Sequence, residues 1–97
     1  MKVVYSDSEL EVRFRHPVRG VRAWGSVVAQ KYVMRIITLK RAKTIQDLFG
    51  LRALRLHPLQ GTKLGRHAIA LHGRWRLEVT LGADSIRIEE VSNHYGD

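Results

Sequence analysis

The sequence of 97 residues contains no cysteine. This absence excludes disulfide frameworks, thiolate nucleophiles and zinc sites built on cysteine. No apolar run approaches the length of a membrane-spanning helix, and the first residues, MKVVYSDSELEV, become acidic too early for a signal peptide. We therefore expect a cytoplasmic protein with no membrane partner.

Acidic residues are scarce relative to basic ones: nine Asp and Glu stand against seventeen Lys and Arg, a formal net charge of +8. Most of these bases are arginine, whose planar guanidinium suits phosphate better than an ammonium does. The charge predicts a polyanionic partner, either RNA, DNA or an acidic protein. The alternative is a basic surface that only keeps the protein in solution.

The length and the apolar content of 44% predict one folded domain over residues 1–97. In its first half, residues 24–42 have the apolar period of an amphipathic helix, with Lys40, Val27 and Met34 as the exceptions. The opposite face is a cationic stripe that includes Lys31, Arg35 and Arg41. Such a stripe is either a solvated helix face or a surface for an acidic partner.

Shorter elements flank this helix. The segment 7–15 fits either a helix or a strand, and HPVRG, with Pro17 and Gly20, is predicted to be a break. A short helix is predicted at 45–49, because Thr44 and Asp47 have capping-box spacing and Gly50 can end the helix.

After Gly50 the apolar period changes to two, as in RWRLEVTL and SIRIEEV, which indicates half-buried strands. The HG and GAD sequences between them are typical of tight turns, and short links imply antiparallel pairing. The predicted fold class is α+β, with N-terminal helices packed on one face of a small antiparallel β-sheet. The other face is predicted to carry a set of charged residues: Arg74, Arg76, Arg87, Glu78 and Glu89.

The five histidines lack metal-ligand spacing, so neither a metal nor a cofactor is predicted. Metal-free RNA cleavage needs a base for the 2′-OH, an acid for the 5′-oxygen and cations for the phosphate. The sequence supplies these residue types in His57, Lys63, Arg76 and His94, with Tyr95 nearby. The alternative is that each histidine is an ordinary turn or edge residue.

One long stretch, LRLHPLQGTKLGRHAIALHGRWRLEV, resembles the second half of HigB-type toxins of the RelE/ParE toxin–antitoxin superfamily. The matching parts are LHPLQG, then Lys63 and Gly65 of the basic loop, then HGRWR. TIQDLFGL is similar to the helix that precedes this segment in the family. The resemblance covers about residues 44–94, whereas the first forty residues are similar only in layout.

The resemblance implies a RelE-like fold and a ribosome-dependent endoribonuclease, or mRNA interferase, that inhibits translation. It implies catalytic roles for His57, Arg76 and His94 and an RNA-contacting role for Lys63. Its implied partners are the ribosome, mRNA and a HigA-like helix-turn-helix antitoxin. From charge and position we add a second set of RNA- or phosphate-binding candidates: Arg66, Arg74 and Tyr95.

The sequence departs from the family pattern at three positions. Gln60 stands where the family has lysine, and Ser92 and Asn93 stand where it has aspartate and tyrosine. Tyr95 follows His94 instead of preceding it. Two other functions therefore remain open: a ParE-like toxin that inhibits gyrase, and a non-catalytic RNA-binding module.

Overall fold

The computed structural model describes residues 1–93, which form four helices and a five-stranded sheet. The helices are α1 (Ser8–Arg15), α2 (Pro17–Trp24), α3 (Ser26–Arg41) and α4 (Ile45–Phe49). The strands are β1 (Lys2–Tyr5), β2 (His57–Pro58), β3 (His67–Ala70), β4 (Arg76–Leu81) and β5 (Ser85–Ser92). Two short 3-10 turns, Arg52–Leu54 and Gly61–Lys63, flank β2. In this part of the chain no helix has the length and apolar character needed to cross a membrane.

The sheet has the strand order β1-β5-β4-β3-β2 and confirms the predicted α+β class. Strands β2 to β5 pair antiparallel, as the period of two predicts. Strand β1 differs, because it pairs parallel to β5 from Lys2 opposite Ser85 to Tyr5 opposite Ile88. The sheet is therefore mixed. A parallel pair needs a long crossover, and here almost the whole chain supplies it.

The core lies between α3 and one face of the sheet. Tyr32, Ile36 and Leu39 of α3 are fully buried against apolar side chains of the strands. The strand residues in this cluster are Ile69, Leu77, Val79, Ile86 and Ile88. The predicted helix is thus confirmed within two residues at each end. Val27 and Met34, which were predicted as exceptions to the apolar period, are exposed. Ile37 fits the apolar period of the helix and was expected to be buried, but it is also exposed.

The predicted break at HPVRG occurs only at His16, where α1 ends, because Pro17 to Gly20 belong to the next helix, α2. Pro17 is the first residue of α2, a position where its fixed φ and missing N–H are compatible with a helix. Gly20 is buried, and a Cβ built on it would lie 3.3 Å from the Ala29 Cβ, so this glycine allows α2 and α3 to approach closely. The segment before Pro17 is the helix α1, which Asp7 caps by accepting a hydrogen bond from the Glu9 N–H.

The predicted short helix α4 is confirmed, and Thr44 and Asp47 form a complete capping box. The predicted cationic stripe of α3 is interrupted at Arg35. Its Nε donates to the Ala70 carbonyl at 2.9 Å, and its guanidinium also reaches the Ala53 carbonyl. Burial lowers the pKa of Arg35. This arginine therefore ties α3 to β3 and to the turn before β2.

Two tyrosines with buried hydroxyls, the fully buried Tyr32 and the partly buried Tyr5, provide a matched test of hydrogen bonding next to α1. The Tyr32 hydroxyl donates to the Leu10 carbonyl at 2.6 Å, whereas the buried Tyr5 hydroxyl has no partner among residues 1–93. We expect Tyr32→Phe to lower the free energy of unfolding by about 1–2 kcal/mol, because a buried carbonyl loses its donor. We expect Tyr5→Phe to be neutral or stabilising. Urea unfolding of both variants checks this, and equal losses would contradict it.

Candidate active site

The cross-strand register brings two of the predicted site residues, His57 and Arg76, to the sheet face opposite the helices, here called the outer face. His57 pairs with Ala68, Ala68 with Glu78, and Glu78 with Glu90. Because paired residues point to the same side, these four form one row across β2 to β5. Two residues along the strands, a second row contains Ala70, Arg76 and Ser92. His57 and Arg76 therefore belong to one surface.

His57 is exposed on the edge strand β2, and its ring orientation is set by the backbone. Its Nδ1 lies 2.7 Å from the Arg55 carbonyl oxygen. A carbonyl only accepts hydrogen bonds, so Nδ1 carries the proton in the neutral ring and Nε2 keeps its lone pair. Pro58 restricts the backbone of His57 to extended geometry. The arrangement leaves Nε2 able to accept a proton.

Arg76 begins β4, and backbone carbonyls hold its guanidinium. One nitrogen, Nη1, donates to the Gly73 carbonyl at 2.7 Å and to the Trp75 carbonyl at 2.9 Å. Arg74 was expected to share the strand face with Arg76, but it lies in the turn before β4, where it is exposed. This turn is closed by a hydrogen bond from the Trp75 N–H to the His72 carbonyl.

Lys63 and Arg66, predicted as RNA-binding cations, form ion pairs with carboxylates of the outer face. The Lys63 Nζ lies 2.6 Å from Glu78 Oε2, and the Arg66 Nη1 lies 3.0 Å from Glu78 Oε1. Arg66 also contacts Glu90 Oε1 at 2.9 Å. The hydrogen bond to Glu78 is the main reason that the pKa of Arg66 is raised. Both cationic side chains remain about one-third exposed, at 34% and 32%.

The carboxylate of Glu78 has no exposed surface, and sequence reasoning did not identify it as a site residue. The alternation of β4 assigned Glu78 to the outer face but could not show which cations would cover it. Glu89 was also predicted on this face. It accepts from the Thr80 hydroxyl at 2.7 Å and lies 3.4 Å from Arg87 Nε. The outer face is therefore a network of paired charges rather than a plain arginine surface.

The remaining sequence candidates are placed as follows. His94 and Tyr95 lie outside the described residues. Gln60 is exposed at the start of the loop, Ser92 is buried, and Asn93 is exposed after β5. Within residues 1–93, no group of three or more His, Cys, Asp or Glu side chains is arranged to hold a metal ion.

His67 was not among the predicted site residues, yet it lies close to His57 in the fold. It pairs with Pro58 and points to the helix side of the sheet, where its ring meets that of Phe49 edge-on. Burial, followed by the charge of His57, lowers the pKa of His67. The neutral form of the His67 ring is therefore favoured over the charged form, on the side of the sheet opposite His57.

The tautomer of His57 can be tested directly. We expect the neutral ring to carry its proton on Nδ1, because the Arg55 carbonyl accepts from that atom. Long-range ¹H–¹⁵N NMR of the labelled protein above pH 8 distinguishes the two nitrogens. A ring protonated on Nε2 would contradict the proposed orientation, and His16, exposed before α2, serves as a reference histidine.

Comparison with known proteins gives a clear answer for the fold alone. No family model and no curated protein sequence matches the chain. Among solved structures, a YoeB/ParE toxin from Agrobacterium tumefaciens covers 98% of this chain and is itself covered completely, with 16% identity and a TM-score of 0.59. Escherichia coli YafQ, from strain BL21(DE3), matches with 15% identity and a TM-score of 0.62, covering 96% of this chain and 92% of its own.

A third similar structure is the DinJ–YafQ toxin–antitoxin complex of Escherichia coli, with 21% identity and a TM-score of 0.59. That match covers 96% of this chain and 91% of the other. The structural neighbours are thus YoeB, ParE and YafQ toxins, and the finer resemblance to HigB is carried by sequence motifs only. The chain therefore has the same fold as these YoeB, ParE and YafQ proteins.

Proposed function

We propose that this protein is the toxin of a type II toxin–antitoxin system and acts in the cytoplasm as a ribosome-dependent endoribonuclease of the HigB type. The observation that carries the proposal is the shared outer face of His57 and Arg76, with Lys63 and Arg66 on the loop above it. Support for the toxin class comes from the fold, and support for the HigB type comes from the LHPLQG and HGRWR motifs.

The geometry of this face fits metal-free cleavage of RNA. His57 Nε2 accepts the proton of a ribose 2′-OH, whose oxygen then attacks the adjacent phosphorus. The bond from phosphorus to the 5′-oxygen breaks, and an acid, for which His94 is the candidate, protonates that oxygen. Arg76 stabilises the charge that builds on the phosphate oxygens. The products are a 2′,3′-cyclic phosphate and a 5′-hydroxyl.

The dimensions of the sheet are compatible with these roles. Adjacent strands lie about 4.8 Å apart and residues on one face about 6.8 Å apart, so the Cα atoms of His57 and Arg76 are separated by about 12 Å. Two side chains that converge from this spacing can flank one phosphodiester. If the ribosome positions the mRNA, the toxin needs to supply few groups, and the net charge of +8 favours binding beside rRNA.

Induced expression in a bacterium, followed by mapping of mRNA 5′ ends, tests the nuclease proposal. We expect the wild type to arrest growth and create new mRNA ends. His57→Gln and Arg76→Ala should reduce cleavage by about 100-fold or more, since each removes a group acting in the transition state. His16→Gln is the matched control, because His16 is exposed on the helical side of the fold.

Two outcomes would overturn the nuclease proposal, and a third would overturn the proposed active site. Growth arrest with intact mRNA and a DNA-damage response would indicate a gyrase inhibitor. Co-sedimentation with ribosomes without new mRNA ends would indicate a non-catalytic RNA-binding module. Cleavage by Arg76→Ala and His57→Gln at the wild-type rate would show that the outer face is not the active site.

We also propose that an acidic segment of a helix-turn-helix antitoxin binds the helical side of the protein. Residues 12–46 include α2 and α3 and contain no aspartate or glutamate, although they are rich in arginine and lysine. Exposed apolar side chains lie among these bases: Val18, Val21, Val27, Met34 and Ile37. A shallow groove of about 300 Å³ is lined by Pro17, Gln30, Val33 and Met34. An amphipathic acidic helix would match both the apolar and the charged parts of this surface.

The antitoxin surface is tested by co-expressing the tagged toxin with the helix-turn-helix protein of the adjacent reading frame. We expect Met34→Glu to weaken the complex at least 10-fold while mRNA cleavage persists, because a carboxylate in the groove repels an acidic partner. Ala83→Glu, which adds the same charge in the exposed turn between β4 and β5, is the control. The affinity of each toxin variant for the antitoxin is measured by calorimetry. Equal affinities for Met34→Glu and the wild type would show that the antitoxin binds another surface.

A further inference from the structure

The centre of the outer face is occupied by a buried carboxylate. Glu78 lies on β4, between its partners Ala68 on β3 and Glu90 on β5, and has no exposed surface. Removing a carboxylate from water is strongly unfavourable unless cations and hydrogen-bond donors surround it. The arrangement around Glu78 meets this requirement with two cations, one near each oxygen: Lys63 at Oε2 and Arg66 at Oε1.

Both cations come from one loop that folds back across the sheet. The loop joins β2 to β3 and is closed by a hydrogen bond from the Leu59 N–H to the Arg66 carbonyl. Gly61 and Gly65 have φ values of 68° and 99°, which other residues rarely adopt, and they bend the loop on either side of Lys63. The loop begins beyond the edge strand β2, yet its cations reach a carboxylate on β4, two strands away.

This contact has two opposite consequences for RNA. Long lysine and arginine side chains lose much conformational freedom when they bind a ligand, and a partner that holds them in advance reduces that loss. The same partner carries a negative charge, which weakens the attraction between the loop and a phosphate. Loss of the Glu78 carboxylate should therefore worsen the orientation of the two cations but strengthen their attraction to phosphate. An experiment can separate these two effects.

We infer that Glu78 is a positioning residue, whose buried carboxylate holds Lys63 and Arg66 where the proposed nuclease needs them against the RNA backbone. The inference rests on the proposed function for its substrate. Glu78 does not touch RNA. It acts through the two cations, whose exposed parts face solvent on the same side of the sheet as His57 and Arg76.

The test is cleavage of mRNA on purified ribosomes by the wild type and Glu78→Gln, with kcat and KM measured separately. We expect kcat to fall by 10- to 100-fold, because a displacement of about 1 Å in a group that orients the substrate costs up to about 100-fold. We expect KM to stay the same or to fall, since the protein gains one positive charge. Glu11→Gln makes the same charge change at an exposed ion pair on α1 and should retain both constants.

A second variant, Glu78→Met, shows whether the effect of Glu78→Gln comes from a folding defect. Glu78→Met replaces the buried charge with an unbranched apolar side chain of similar size, and the remaining partners, Lys63 and Arg66, are about one-third exposed and can turn to solvent. It should show the same loss of kcat with a cooperative thermal unfolding transition. A kcat at or above the wild-type value in either folded variant would mean that Glu78 only neutralises the loop, and the inference would be wrong.

A readout independent of cleavage separates this inference from the proposed function. Trypsin cuts after Lys63, which precedes the highly exposed Leu64, and after Arg66 in the same loop. We expect both cuts to be at least fivefold faster in Glu78→Gln than in the wild type or Glu11→Gln, because the loop loses its anchor. If the wild type cleaves no mRNA, the nuclease proposal fails while faster proteolysis still supports the anchoring role. Equal rates of proteolysis would overturn the anchoring role itself.

Discussion

The burial of the Glu78 carboxylate is the constraint on which the outer face depends. Its neighbours on β4, Leu77 and Val79, point to the helices and join the core, so Glu78 must point the other way. A charge in that position is stable only beneath cations, and the β2–β3 loop supplies them. The loop, its two cations and the surface beside His57 therefore meet at this one buried group.

The pairing of β4 with β5 is irregular after Glu78, where a β-bulge adds one residue to β5. This bulge extends the charged network of the outer face to β5. Glu78 pairs with Glu90, but the next residue, Val79, pairs with Ile88, so Glu89 is an additional residue on the partner strand. Glu89 accepts from Thr80 and lies beside Arg87. The bulge therefore adds a carboxylate to the outer face without disturbing the apolar face, where Val79 and Ile88 stay fully buried.

The charge of the molecule is distributed unevenly as a result. On the outer face, bases and carboxylates are interleaved and paired, which favours precise placement of a few cations. On the helical side, residues 12–46 have no carboxylate of their own, and although Glu9 and Glu11 of α1 pair with Arg13, Arg15 and Arg19, positive charge remains in excess there. We therefore assign the proposed attraction of an acidic partner and the proposed orientation of a phosphate to two different surfaces.

Local patterns in the sequence predicted the parts of the fold that local physics determines. The period of two predicted the antiparallel strands, and the spacing of Thr44 and Asp47 predicted α4 at its observed bounds. The errors concern contacts between distant residues. Pro17 is compatible with either a break or a helix start. The packing of Gly20 on Ala29 favours the helix, and this contact cannot be seen in the local sequence.

The same distinction applies to the candidate site. Motif and charge selected His57, Arg76, Lys63 and Arg66, and the register brings these residues to one side of the sheet. The buried state of Glu78 and the interior role of Arg35 could not be predicted, because each depends on carbonyls or cations far away in the sequence. The parallel direction of β1 is likewise set by its distant partner β5.

The most direct test of the central claim is the chemistry of the RNA ends produced by the purified protein on a ribosome programmed with mRNA. We expect cleavage to persist when EDTA is added at a concentration below that of Mg²⁺, so that the ribosomes stay intact. We expect a 2′,3′-cyclic phosphate on one fragment and a 5′-hydroxyl on the other, both strongly reduced with Arg76→Ala. A 5′-phosphate, or no cleavage by the wild type, would contradict this claim.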